Sequence, residues 1–246
     1  MGFLLEASHV EKSFGGLKAL DGISLSVQEN SITAVIGPNG SGKTTFLNCI
    51  NGIYVPEKGQ IKFRERSLVG LKPHEIAGLG IGRTFQISRT FKKISVTENI
   101  LAPVLKSQKD IQQLRREACE LLERVGMLAL KDNLGEDLSG GQQKLLELLR
   151  AWIADSDLIL LDEPFAGVHP ELKANFYDEI RKLQQRGKTF VLISHDMKSV
   201  YTLSDEIIVF DLGRVIARGS EEDIKTDERV IEAYLGNQRP PAELGV

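Results

Sequence analysis

The sequence predicts an α/β protein in which helices cover a parallel β-sheet. Short apolar runs recur at 32–36, 158–161, 189–193 and 207–210, and the first of them is largely β-branched. Helical segments separate these runs, and strands that alternate with helices form parallel sheets. The first run ends in glycines and is followed by a predicted helix from Thr44 to Asn51. These observations predict a sheet domain with a loop of unusual backbone at the end of its first parallel strand.

Other segments predict additions to this core. Two strand-like pieces lie between His9 and Val27, and residues 211–214 are typical of a hairpin turn, so we expect an antiparallel β flank. Apolar residues at helical spacing predict an inserted helical subdomain at about 88–152. We expect one domain over residues 1–237, followed by a C-terminal tail at 238–246, where two prolines oppose helix formation.

The composition excludes some classes of protein. Hydrophobic residues make up 41% and charged residues 26% of the 246 residues, which is ordinary for a globular protein. A net charge of −3 does not favour a broadly basic surface, so no nucleic-acid partner is expected. Cys49 and Cys119 are far apart and lack metal-ligand spacing, so both are expected to pack as reduced thiols. Because no apolar run approaches the roughly 18 residues of a spanning helix, we expect a cytoplasmic protein.

The loop after the first parallel strand carries the spacing GxxxxGK[ST] at residues 37–44. Its glycines let successive backbone N–H groups and the helix N-terminus face a triphosphate. Lys43 supplies positive charge near the β and γ phosphates, and the Thr44 hydroxyl can bind Mg²⁺. The loop therefore predicts the binding of a nucleoside triphosphate. The residues assigned to it are Gly37, Pro38, Asn39, Gly40, Ser41, Gly42, Lys43, Thr44 and Thr45.

Two adjacent carboxylates, Asp162 and Glu163, end the apolar strand at 158–161. Burying two like charges is costly unless a cation or a reaction requires them. Because consecutive strand residues face opposite sides, the two carboxylates are expected to have different tasks. We predict that Asp162 holds Mg²⁺ through water and that Glu163 is the catalytic base for the attacking water.

The pentapeptide LSGGQ at 138–142 opens a predicted helix. Ser139 is expected to cap this helix, and the glycine pair allows an anion to approach its positive end. The segment lies too far from the glycine-rich loop to be a second half of that loop. We therefore predict that it serves a phosphate held by another copy of the protein, through Ser139, Gly140, Gly141 and Gln142.

With these motifs in this order, the sequence resembles the nucleotide-binding subunits of ABC transporters over essentially its whole length. The resemblance implies a P-loop NTPase fold with a RecA-like parallel-sheet core, an antiparallel flank and an inserted helical subdomain. It also implies ATP hydrolysis with Mg²⁺. In the family, the signature pentapeptide of one subunit closes over the γ-phosphate held by another. The expected partner is therefore a second ATPase subunit, identical or related.

The resemblance assigns three further residues. Phe14 resembles the aromatic residue that stacks on adenine. Gln86, in the stretch GIGRTFQ, matches the catalytic glutamine that contacts Mg²⁺ and the attacking water and links the two lobes. His195, after the strand at 189–193, matches the switch histidine that contacts the γ-phosphate. One departure from the family is His169, which stands where most members have Asp.

Within the family, GIGRTFQ, DEPFAGVHP at 162–170 and VIEAYLG at 230–236 are most similar to the ATPases of branched-chain amino acid importers. The last two stretches are also similar to lipopolysaccharide-export ATPases, and the importer is preferred. Either reading implies transmembrane permease subunits on separate chains and a peripheral location at the cytoplasmic face of the membrane. An importer also works indirectly with a solute-binding protein. The segment from Ile87 to Asn99 is expected to receive a short helix of the membrane subunit.

Non-transport members of the superfamily are the alternatives. A DNA-repair or chromosome ATPase needs a long coiled coil between the P-loop and the signature, and the intervening 45–137 segment has no room for one. A ribosome-associated factor normally carries two cassettes, whereas this chain has one. A P-loop kinase lacks the signature pentapeptide. The transporter reading is therefore favoured.

Overall fold

The computed structural model describes residues 2–84, 90–105 and 110–236. The strands are β1 (Phe3–Phe14), β2 (Leu17–Gln28), β3 (Ile32–Ile36), β4 (Lys58–Phe63), β5 (Arg66–Ser67), β6 (Ile81–Arg83), β7 (Leu158–Asp162), β8 (Thr189–Ile193), β9 (Glu206–Asp211) and β10 (Arg214–Gly219). The helices are α1 (Lys43–Ile50), α2 (Pro73–Gly78), α3 (Val96–Leu101), α4 (Ile111–Arg124), α5 (Gly140–Ile153), α6 (Pro170–Gln185), α7 (Met197–Leu203), α8 (Glu221–Thr226) and α9 (Glu228–Gly236).

The strands form two sheets. The larger sheet has the order β10-β9-β3-β8-β7-β6, and its strands are parallel except that β10 pairs antiparallel with β9. The smaller sheet has the order β2-β1-β4-β5 and is antiparallel. The predicted parallel core with an antiparallel flank is therefore confirmed.

The central parallel strands are apolar at consecutive positions because both faces of the sheet are covered. Every residue of β3, β7 and β8 is buried. Side chains alternate between two cores: Ile159 and Leu161 pack with α5 and α6, whereas Leu158 and Leu160 pack with α1 and the antiparallel sheet. A parallel sheet buried on both faces requires such continuous apolar runs. The continuous apolar run at 158–161 could therefore be predicted to be a strand.

From residue 96 to residue 153, the elements of secondary structure that the structure describes are all helices. Asp110 caps α4 and Ser139 caps α5, each accepting a hydrogen bond from the third residue of its helix. Leu145 and Leu149 of α5 share a core with Val96 and Ile100 of α3 and with the sheet residue Phe190. Helix α5 thus belongs to the packing of both the helical region and the parallel sheet.

Several features differ from the sequence prediction. The edge strand β6 was not predicted; it is only three residues long, but it pairs parallel with β7. Cys49 is buried as expected, whereas Cys119 is only half-buried. Among the described residues, no helix has the length and apolar character needed to cross a bilayer.

Candidate functional site

The P-loop and the carboxylate pair meet at one cavity of about 310 Å³ at the carboxyl end of the parallel strands. This position is expected, because ligands of open α/β sheets bind beyond the carboxyl ends of the strands. The lining includes Phe14, Leu17, Ala19, Asn39, Gly40, Gly42, Lys43, Thr44, Thr45, Asp162, Glu163, Ile193 and His195. Most residues predicted from separate motifs therefore share one site.

The P-loop glycines are required by the backbone and by close neighbours. Gly37 has φ 144°, and a Cβ placed there would lie 2.0 Å from the carbonyl oxygen of Phe210. Gly42 has φ 102°, and its Cβ would lie 2.5 Å from the carbonyl oxygen of Ala19. Positive φ angles are accessible to glycine at little cost. The loop therefore curls tightly between β3 and α1, with Gly42 as the residue that precedes the helix.

Lys43 is buried within the curl of the P-loop. Its Nζ donates hydrogen bonds to the carbonyl oxygens of Gly37 and Pro38, both at 2.8 Å, and to Ser41 Oγ at 3.3 Å. Burial lowers the pKa of Lys43, and the negative charges of Glu163 and Asp162 oppose this effect. Ser41 is buried and faces this ammonium group rather than the main cavity. The loop thus holds a lysine charge beside the carboxylate pair.

Asp162 is the last residue of β7, and its side chain is only 2% exposed. Its Oδ2 accepts a hydrogen bond from Arg83 Nη2 at 3.3 Å, whereas its buried Oδ1 has no hydrogen-bond partner among the described residues. Burial raises the pKa of Asp162, and the charge and hydrogen bond of Arg83 oppose the rise. A buried, unpartnered carboxylate oxygen beside Thr44 fits the oxygen ligands that Mg²⁺ prefers.

Glu163 lies just beyond β7 and has a left-handed backbone, with φ 51°. Strand geometry ends at Asp162, and both Asp162 and Glu163 line the same cavity. That the two carboxylates have different tasks stays a prediction. Lys144 Nζ donates a hydrogen bond of 2.8 Å to the Glu163 carbonyl oxygen. A left-handed non-glycine residue is held by such surroundings, and it is a known feature of active sites.

His195 faces Glu163 across the cavity. The His195 backbone N–H donates to Glu163 Oε2 at 3.3 Å, and His195 Nε2 lies 3.4 Å from Oε1 without hydrogen-bond alignment. Burial raises the pKa of Glu163, and the contact with His195 opposes the rise. A carboxylate with a raised pKa at the wall of the P-loop cavity suits a general base.

Phe14 lines the mouth of the cavity and is 42% exposed. Its ring meets the ring of Tyr54 edge to face, with centroids 5.0 Å apart, and Lys12 Nζ lies over the ring at 5.4 Å from its centroid. An exposed aromatic face at this position suits stacking on a nucleotide base. Sequence reasoning missed Leu17 and Ala19, which continue the same wall. They belong to β2, which carried no signal other than its strand pattern.

A second cavity, of about 450 Å³, adjoins the P-loop and was not predicted. Gly37, Pro38, Asn39, His195 and Tyr234 line it. Tyr234 belongs to α9, and burial raises its pKa while a hydrogen bond from the Gly37 backbone opposes the rise. The C-terminal helix therefore reaches the nucleotide loop, a contact that the sequence motif at 230–236 could not reveal.

The signature residues are not brought to this cavity. Ser139 caps α5 by accepting a hydrogen bond from the Gln142 N–H at 3.3 Å, and Gln142 Oε1 accepts from the Ser139 N–H at 2.9 Å. None of the residues 138–142 lines the P-loop cavity as formed by the described residues. A Cβ at Gly141 would lie 2.9 Å from the Gly167 carbonyl oxygen, so glycine permits close packing there. Gln86 falls outside the described residues.

A large cleft of about 900 Å³ separates α2 and β6 from the helical region. Arg83, Phe91 and Arg150 line it, together with Pro103 and Val104. Phe91 is 49% exposed, and the Arg150 guanidinium stacks over its ring at 4.9 Å. This cleft lies beside the segment that was expected to contact a membrane subunit.

Fold and site together define a P-loop ATPase with a signature helix held away from its own nucleotide loop. Comparison with known proteins agrees. A family model described as "ABC transporter" matches residues 20–166, and one described as "Branched-chain amino acid ATP-binding cassette transporter" matches residues 214–239. The chain belongs to the ABC transporter family, and it binds and hydrolyses ATP as an ATP-binding subunit of this class.

Three similar proteins illustrate the match. A probable branched-chain amino acid transport ATP-binding protein of Archaeoglobus fulgidus is 40% identical, with 99% of each chain covered. The ADP conformation of an ABC-transporter cassette has a TM-score of 0.84 and 33% identity, and the match covers 96% of this chain and 100% of the other. A dimeric cassette bound to ADP and Pi has a TM-score of 0.81 and 25% identity, covering 88% and 98%.

Proposed function

We propose that this chain powers the import of branched-chain amino acids through separate membrane subunits, at the cytoplasmic face of the membrane. The observation that carries the ATPase part is the shared cavity of P-loop, Asp162, Glu163 and His195. The solute class is supported by the name of the Archaeoglobus relative and by the family model matched at residues 214–239. Both favour the importer over a lipopolysaccharide exporter.

Binding of ATP uses the P-loop and Phe14 in this proposal. The Lys43 ammonium exchanges its bonds to loop carbonyls for phosphate oxygens, because anionic acceptors form the stronger hydrogen bonds. Backbone N–H groups of the loop and of the start of α1 cradle the phosphates. The exposed face of Phe14 stacks on the adenine.

Thr44 and Gln86 would hold Mg²⁺, and Asp162 would hold it through water. The buried Asp162 Oδ1, which lacks a partner among the described residues, supports this assignment. When bound, the cation neutralises charge on the β and γ phosphates. Glu163 orients the attacking water and accepts its proton, and His195 contacts the γ-phosphate from the opposite wall.

Two ATPase subunits assemble head to tail. Residues 139–142 are not among the described residues that line the P-loop cavity of their own chain. This supports the proposal that they contact a phosphate bound by the P-loop of a partner subunit. The similar cassette bound to ADP and Pi is also dimeric. Because ATP contacts both subunits, its hydrolysis removes contacts that favour the closed pair and lets it open.

The 900 Å³ cleft receives a short helix of the permease. Phe91 offers an exposed ring there, and α5 joins one wall of the cleft to the signature residues at its own start. We assign residues 1–237 to one nucleotide-binding domain with a helical subdomain at about 88–152, and residues 238–246 to a tail. Movement of that subdomain transmits the state of the nucleotide to the permease.

Reconstitution with the membrane subunits and solute-binding protein tests this proposal. Vesicles loaded with ATP should take up labelled leucine. The Glu163→Gln variant should bind ATP, form a stable ATP-bound dimer by light scattering, and turn over at least about 100-fold more slowly. The matched control is Asp178→Asn, an exposed carboxylate of α6, which should keep the parental rate. If Glu163→Gln hydrolyses ATP at the parental rate, Glu163 is not the catalytic base. If ATP drives leucine out of the vesicle interior, which represents the cytoplasm, the proposed import is wrong.

A further inference from the structure

Arg83 connects the nucleotide site to the neighbouring elements through a buried fork of hydrogen bonds. Its side chain is only 4% exposed, although it also borders the large cleft. Nη1 donates to Asn48 Oδ1 at 2.7 Å, and Nη2 donates to Asp162 Oδ2 at 3.3 Å. The guanidinium thus joins three elements: β6, which carries Arg83, α1, which follows the P-loop, and β7.

A buried ion pair is weak evidence for a purely stabilising role. Removing an arginine and an aspartate from water costs several kcal/mol, and well-packed apolar residues often stabilise a protein as much. The pair between Arg83 and Asp162 is buried on both sides. Its arrangement is specific, because one carboxylate oxygen is bonded and the other, Oδ1, has no hydrogen-bond partner among the residues described.

The backbone next to this pair is also fixed. The Asp162 N–H donates to Thr84 Oγ1 at 3.2 Å, and the Thr84 N–H donates to the Leu160 carbonyl oxygen at 2.9 Å. Thr84, directly after β6, therefore holds β7 through its main chain and its hydroxyl, and the preceding side chain of Arg83 holds the Asp162 carboxylate. With the Asp162 backbone fixed, the bond to Arg83 selects the orientation of the carboxylate.

We propose that Arg83 is the positioning residue for Asp162: it holds Oδ2 so that Oδ1 is presented to the metal ion of the bound nucleotide. The inference rests on the proposed role of Asp162 as a metal ligand. Arg83 itself does not touch the nucleotide cavity, whose lining excludes it among the described residues. Outer partners that orient a metal ligand typically contribute about 10-fold to 100-fold in metal affinity or activity.

The test separates metal binding from nucleotide binding. Arg83→Lys keeps the charge but cannot bond Asn48 and Asp162 together with a planar fork. The nucleotide is a non-hydrolysable ATP analogue, the probe metal is Mn²⁺, and the protein is in excess, so that the nucleotide is bound. The dissociation constant of Mn²⁺ is measured by the loss of its free EPR signal. We expect it to rise about 10-fold in Arg83→Lys. The affinity for ATP in EDTA should stay at the parental value, because the P-loop is unchanged.

Two further variants make the outcome decisive. Arg64→Lys alters a solvent-exposed arginine that pairs with Asp157 and should leave the Mn²⁺ constant unchanged. Asp162→Asn tests the proposed metal ligand itself. If Asp162→Asn weakens Mn²⁺ binding and a folded Arg83→Lys does not, the positioning role is overturned. If Asp162→Asn also has no effect, the proposed metal site is wrong. If circular dichroism shows that Arg83→Lys does not fold, Asn48→Ala provides a second variant: it removes the Asn48 arm of the fork but keeps the buried ion pair, and it should also raise the Mn²⁺ constant.

Discussion

Replacement of Lys144 by methionine should slow ATP turnover without weakening ATP binding. Lys144 donates to the Glu163 carbonyl oxygen at 2.8 Å, and Glu163 has a left-handed backbone with φ 51°. Methionine keeps the length of the side chain but removes the donor. Lys144 is not among the described residues that line the nucleotide cavity.

The size of the effect follows from the type of contact. A hydrogen bond from a charged donor contributes about 1.5–3 kcal/mol. At 1.36 kcal/mol for each factor of ten in rate, its full loss from the transition state corresponds to about 10-fold to 150-fold in kcat. Lys144 is half-buried, so solvent screens part of the interaction. We therefore expect a decrease in kcat of about 10-fold, with an unchanged KM for ATP.

A coupled ATPase assay over a range of ATP concentrations measures both constants. Lys144→Arg should retain most of the parental kcat, because arginine can donate to the same carbonyl. Lys182→Met is the control: Lys182 is an exposed lysine of α6 paired with Glu179, and its loss should leave kcat unchanged. A parental kcat in Lys144→Met, or an increase in KM with constant kcat, would refute the positioning of Glu163 by this contact.

Two predictions concern the P-loop and the helix behind it. Gly37→Ala should lower ATP affinity by calorimetry at least about 10-fold, because alanine is strained at positive φ and its Cβ would lie 2.0 Å from the Phe210 carbonyl oxygen. Gly16→Ala, with nothing within 4 Å of its Cβ, is the control, and equal affinities in both variants would contradict the steric reason. Burial raises the pKa of Cys49 to about 11, so a thiol reagent at pH 8 should react with half-buried Cys119 and reach Cys49 only after unfolding. Rapid reaction of two thiols in the native protein would contradict this.

The parts of the fold that were predictable are those in which local sequence and tertiary environment agree. Residues 158–161 of β7 are apolar at every position because both faces of the sheet are covered. The P-loop could be predicted from the spacing of its glycines and lysine. Strand β6 was missed because three residues, one of them glycine, carry no periodic pattern. The left-handed backbone of Glu163 was equally hidden, because a non-glycine residue adopts it only when distant contacts such as Lys144 hold it.

The carboxylate pair is held by cations from two different directions. Arg83 in β6 binds the side chain of Asp162, whereas Lys144 in α5 binds the main chain of Glu163. Strand β6 is fixed to β7 by parallel pairing, whereas α5 packs against the sheet and Lys144 contacts Glu163 just beyond β7. A shift of α5 relative to the sheet therefore acts first on Glu163 and leaves Lys43 and Asp162 in place. Metal binding and turnover should consequently respond to different variants: the first to Arg83 and the second to Lys144.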